Sequence, residues 1–159
     1  MRSASMAIIL LCATAPVADA GELRLAGQAC YLRAYDASHL TSRPGQKVRR
    51  IQLRATPMGQ GTIGASLDIW VRNNSERYAA NAICRSERGA TTCRSEFDDR
   101  TWRISTVGEA IQITNGNVWL NPWAYDAEDL SDRGFRLTAL PDDRVWRLAP
   151  VRCSKVPSD

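Results

Sequence analysis

The chain contains a single histidine, His39, and Asp36 lies three residues before it. On a helical turn that spacing puts both side chains on one face, and a carboxylate beside an imidazole can orient it as a general base. A nucleophile would still be required. Ser38 is adjacent in sequence, which points it elsewhere, and no G-x-S-x-G elbow occurs. The simpler expectation is that Asp36 caps a turn and His39 packs locally, so Asp36 and His39 are the only candidates for catalysis in a chain read as non-catalytic. Paired carboxylates facing across a cleft, as glycoside hydrolysis needs, are not legible. Asp126, Glu128, Asp129 and Asp132 cluster without the D-x-D-x-D-G spacing of a calcium loop. No metal and no cofactor are expected.

The cysteines bear on compartment. Arg2, the apolar run Met6 to Ala13 and Ala18-Asp19-Ala20 read as a secretory signal cleaved after Ala20. The apolar run is too short to span a bilayer, and no long apolar stretch follows it, so a membrane-spanning protein is not expected. A lipoprotein reading would acylate Cys12, but Leu11 occupies the position where such sites place a small residue. Cleavage removes Cys12 and leaves Cys30, Cys84, Cys93 and Cys153, an even count that reads as two disulfides. Three connectivities are possible. Cys84 and Cys93 flank the polar turn Glu87-Arg88-Gly89-Ala90 and form the natural local pair, which leaves Cys30 with Cys153. That long closure would contribute about 4 kcal/mol in the chain-entropy model. The spacings of 54, 9 and 60 contain no C-x-x-C knuckle and argue against zinc.

Binding chemistry is more visible than catalysis. The stretch NGNVWLNPWAYD, residues 115–126, brings Trp119 and Trp123 together with Tyr125 and with Asn115, Asn117 and Asn121. Exposed aromatic faces beside amides suit sugar rings or a protein partner; the alternative is that the tryptophans fold back to cap the core. The formal net charge is +4, and all but two of the 21 basic side chains are arginine. Arginine is the better fork for carboxylates and phosphates. Residues 21–60 are strongly basic and residues 121–143 acidic, so an acidic envelope polymer or protein face is a plausible ligand. Nucleic acid is not expected outside the cytoplasm.

These residues must be positioned by strands. Ile51, Leu53 and Ala55 alternate with polar neighbours, as do Leu67 and Ile69, then Tyr78 to Cys84, Cys93 to Phe97, and Ile111 to Ile113. Turn clusters separate these runs, and Asn115-Gly116 predicts a two-residue hairpin between Ile113 and Val118. Asp36 to Leu40 predicts one capped helical turn ended by Pro44-Gly45, and Ala124 to Asp132 predicts a second turn or an acidic loop. The pattern D-R-x-aromatic-R-aliphatic occurs at Asp99, Asp132 and Asp143. As strand openings, these would put Arg103, Arg136 and Arg147 on a solvent face. The expected fold is all-β: residues 21–159 form a single disulfide-tied domain, an antiparallel β-sandwich or small β-barrel with one or two short helical turns.

The block Cys30-Tyr31-Leu32-Arg33-Ala34-Tyr35-Asp36-Ala37-Ser38-His39-Leu40, with Pro44, Gln46 and Val48, the Cys84/Gly89/Cys93 hairpin and Asp142-Asp143-Arg144, resembles small exported proteobacterial proteins of uncharacterised function. The resemblance carries no activity over. The expected function is that of a periplasmic or secreted non-catalytic domain that binds an envelope glycan or protein partner. The candidate binding residues are Trp119, Asn121, Trp123, Tyr125, Arg103, Arg136 and Arg147. The alternative is an inhibitor of a secreted hydrolase, of lysozyme or protease type. Lysozyme-inhibitor motifs resemble S-G-x-x-Y, and Ser75-Glu76-Arg77-Tyr78 lacks the glycine.

Overall fold

A computed structural model describes residues 21–87, 90–96, 100–116, 118–122, 135–137 and 141–156, with the backbone alone at Glu87, Trp119, Phe135, Arg136 and Pro141. The expected leader (1–20), the acidic cluster, the helical turn expected over 124–132 and the side chains of Trp119, Trp123, Tyr125 and Arg136 lie outside the described residues. The strands are β1 (Ala29–Ala34), β2 (Val48–Gly59), β3 (Thr62–Val71), β4 (Arg77–Glu87), β5 (Ala90–Ser95), β6 (Thr101–Val107), β7 (Ala110–Thr114), β8 (Trp119–Pro122), β9 (Phe135–Arg136) and β10 (Val145–Val151). One short helix, α1 (Ala37–Ser42), follows β1, and 3₁₀ turns flank β10.

Of the two all-β architectures the sequence allows, the chain adopts the barrel. Each strand from β1 to β7 pairs antiparallel with the next, β7 pairs with β10, and β10 returns to β1. The ring of eight strands is therefore closed. Strand alternation points Ile51, Leu53, Leu67, Ile69, Cys84, Cys93, Trp102, Ile104, Ile111, Ile113, Trp146 and Leu148 inward, and all are essentially fully buried. An eight-stranded ring has just enough interior for such side chains. One end is covered by Leu23, whose amide donates to the Thr91 hydroxyl at 2.9 Å. Val118 and Leu120, with Leu137 just after β9, are buried in the same core cluster. Apolar side chains fill the inside while arginines and threonines project from the strands, the reverse of a membrane-spanning barrel. No helix among the described residues is long and apolar enough to cross a membrane.

Both disulfides join the partners expected. Cys84–Cys93 bridges directly opposite residues of β4 and β5, and Cys30–Cys153 ties the start of β1 to the chain just after β10. Cys30 and Val151 are paired across the β1–β10 seam, so this bond fastens the ring where it closes.

The Asn115-Gly116 hairpin does not form. The neighbours of β7 are β6 and β10, while β8 pairs with the start of β4 and with β9. The Asn115 side chain explains the difference. It is buried, its amide donates to the carbonyls of Leu137 and Asp143, and its carbonyl accepts from the Val118 amide. Gly116 lies so close to the Thr101 carbonyl that a Cβ would collide with it. The dipeptide thus fixes a crossover. The tight turn instead lies between β2 and β3, where Gln60 and Gly61 both have positive φ.

On the outer surface of β2–β4, Asp68 is only 4% exposed. It accepts from Arg77 Nε and from Gln52 Nε2, each at 2.8 Å, and Arg50 stacks on the Trp70 ring alongside. Removing a buried carboxylate leaves its cation uncompensated. Asp68→Ala is expected to lose about 3 kcal/mol in urea unfolding; a loss below about 0.5 kcal/mol would show that this network does not hold β2, β3 and β4 together.

Candidate functional site

The strand register assembles a row of side chains on the outer face that the sequence only partly signals. Cys84 and Cys93 face inward, so their chain neighbours Arg85, Thr92 and Arg94 must face outward. Pairing sets Arg85 opposite Thr92 and Thr92 opposite Arg103, with Ile83, Arg94 and Thr101 forming the next row. Ile83, Arg85, Thr92, Arg94 and Thr101 line a groove of about 580 Å³. The Cys84–Cys93 disulfide lies directly beneath it and holds β4 and β5 in register. Two strands further round the ring, Arg147 projects from β10 opposite Gln112 of β7.

Lack of an internal partner separates these arginines from several others, though not from the exposed Arg144 and Arg152. Arg77 is paired with Asp68 and Arg43 with Asp142, while Arg49 donates to the Val71 carbonyl. Arg72 donates to the Leu40 and Arg43 carbonyls at the end of α1. Arg85, Arg103 and Arg147 are exposed and have no hydrogen bond or ion pair among the described residues. An exposed guanidinium without an internal partner keeps its whole fork available for an oxyanion.

Of the residues singled out from sequence, Arg103 and Arg147 belong to this outer face. Arg136 pairs with Trp119 through its backbone, across β8 and β9. Asn121 is 7% exposed and pairs with Ala79, so it is a strand residue rather than part of the groove. Arg85, Thr92, Arg94 and Thr101 were not singled out. The available signal is their position next to inward-facing residues: Arg85, Thr92 and Arg94 beside Cys84 and Cys93, and Thr101 beside Trp102.

Asp36 and His39 lie on and beside α1, between β1 and β2, and line neither the groove nor its margin. Asp36 caps α1, accepting from the His39 amide and the Ser38 hydroxyl, each at 2.7 Å. Its carboxylate thus serves the backbone. The imidazole stacks on Tyr35 and contacts Gln46 Oε1 through Nε2 at 3.0 Å. Gln46 Nε2 donates to the Val48 carbonyl. Its oxygen therefore has to accept, which assigns the proton to His39 Nε2. Ser38 is committed to Asp36, so no nucleophile, base and orienting carboxylate come into line. Burial raises the Tyr35 phenol above its ordinary pKa, with the Arg33 guanidinium opposing that shift. The Glu76-Arg77-Tyr78 segment is also engaged internally, Arg77 by Asp68 and the Tyr78 hydroxyl by Asn74 and Glu76. Among the described residues, no group of His, Cys, Asp or Glu could hold a metal ion.

Comparison with protein-family models, with curated proteins and with solved structures returned no match for this chain.

The cap makes a pH prediction. The hydrogen bond from the His39 amide, followed by that from Ser38, lowers the Asp36 pKa. A depressed folded-state pKa means the cap's contribution is complete above the ordinary carboxylate range and is lost as pH falls through the folded value. The protection of the His39 amide, its exchange rate relative to the unstructured chain at the same pH, is expected to be lost only below that range, while core amides such as Leu67 stay protected; a loss of protection beginning near neutrality would contradict the cap.

Proposed function

We propose that the chain is a non-catalytic binding domain of the periplasm or extracellular space, and that its outer β4–β7/β10 face captures an anionic envelope glycan. The observation that carries this reading is the exposed, internally unpartnered Arg85 in a groove that also offers the Thr92 and Thr101 hydroxyls, with Arg103 opposite Thr92 at its side and Arg147 two strands further on. Two disulfides fit an oxidising compartment, in keeping with export by the leader read at residues 1–20. The packed interior argues against a ligand inside the barrel. Carboxylates or phosphates on a polymer would meet a rigid row of forks, and electrostatic attraction would concentrate the polymer at this face.

A second reading, inhibition of a secreted hydrolase, is favoured by a different feature. Met58 is 62% exposed beside the tight β2–β3 turn. An exposed thioether beside a two-residue hairpin turn offers apolar surface to a partner's cleft.

Titration calorimetry with a galacturonate hexasaccharide, a linear polycarboxylate, tests the first reading. Arg85→Ala/Arg103→Ala is expected to weaken binding by about tenfold or more and to flatten its salt dependence, with folding stability within about 0.5 kcal/mol of the parent. Arg144→Ala, an exposed arginine at the barrel end, should bind as the parent does. Equal affinity of the double variant and the parent would overturn the reading.

A further inference from the structure

The arginine groove does not end at β4. A second groove of about 410 Å³ runs over the outer face of β2, β3 and β4, and Ile83 lines both. Its chemistry is different. Thr56, Ser66 and Asn81 offer neutral hydroxyl and amide groups, Met58 and Ile83 offer apolar surface, and the two charged side chains at its margin, Arg54 and Glu96, have opposite signs. Register places Ser66 beside Asn81, and Gly64 beside Ile83. Gly64 has a specific reason to be glycine: a Cβ there would press on the Met58 sulfur at 2.9 Å, so its absence lets the thioether lie over β3. The result is a neutral, amphipathic shelf in line with a cationic one. Together they cross five strands, roughly 19 Å at the usual strand spacing.

A neutral sugar ring has an apolar C–H face and a rim of hydroxyls or an amide. The C–H face suits Met58 and Ile83, and the rim suits Ser66 and Asn81. We infer that the ligand is a linear glycan of mixed charge, with an anionic unit on Arg85, Thr92 and Arg103 and a neutral unit of the same chain on Met58, Ser66 and Asn81. This rests on the anionic-glycan reading above and adds to it the order of units along the chain. A polymer that is anionic at every unit would waste the second shelf. A neutral polymer would leave the arginines unmatched.

The test is a ligand-observed NMR titration of the oxidised protein with two probes, free glucuronate and a hyaluronan tetrasaccharide in which glucuronate alternates with N-acetylglucosamine. The tetrasaccharide is expected to bind about tenfold more tightly than glucuronate. Ser66→Ala/Asn81→Ala and Met58→Ala should each remove most of that gain while leaving glucuronate affinity unchanged. Arg85→Ala/Arg103→Ala should weaken both probes. If glucuronate binds through the arginines but the tetrasaccharide gains nothing, or gains it equally in the shelf variants, the inference is overturned and the anionic-face reading stands. If neither probe binds the parent protein, both are overturned.

Discussion

Closure of the sheet is the constraint from which the rest of the structure follows. β1 must pair with β2 on one side and with β10 on the other, and the Cys30–Cys153 bond fastens that second seam. A closed ring leaves none of its eight strands with an open edge, which removes the template for pairing with another chain. It also fixes the size of the interior. Eight strands enclose a space that Trp102, Trp146 and the surrounding isoleucines and leucines fill. Among the described residues the interior is filled by these side chains.

The outer surface divides its arginines into two kinds. Some are structural: Arg77 is held by Asp68, and Arg50 lies on Trp70. These contacts let charged side chains cover a sheet face that would otherwise expose Gln52 and Asp68. Arg85 on β4, Arg103 on β6 and Arg147 on β10 make no side-chain hydrogen bond or ion pair among the described residues. The two kinds differ in cost and use. An arginine committed to a buried carboxylate contributes to the fold and has little to offer a ligand, whereas an exposed one contributes little to stability and keeps its donors available. The Cys84–Cys93 bond links the two roles, because it faces the core yet lies under the arginine groove.

Much of the fold was legible because alternation with period two is a direct imprint of a half-buried strand. The Ile51, Leu67, Tyr78 and Ile111 runs all present the expected face. The same logic placed Arg103 and Arg147 outside, and the N-cap at Asp36 followed from residue type and position. Sandwich and barrel could not be separated, since local patterning records which face is buried but not which strands are neighbours. The pairing of β7 with β10 is a contact between distant parts of the chain. Asn115-Gly116 misled for a related reason: its hairpin preference is local, and two hydrogen bonds that the buried Asn115 side chain donates to the distant Leu137 and Asp143 carbonyls override it. The candidate site was half visible. Arg103 and Arg147 could be assigned to a solvent face, but their association with Arg85, Thr92 and Thr101 depends on cross-strand register.

The central claim is that binding occurs on the outer arginine face of a filled barrel. A map of backbone amide shifts during titration with the galacturonate hexasaccharide addresses it most directly. The account predicts that shifts concentrate at Arg85, Thr92, Arg94, Thr101 and Arg103 and fade with added salt, while Ile51 and Leu67 stay still. Shifts centred on interior positions, or on α1 and its neighbours Lys47 and Arg72, would contradict it.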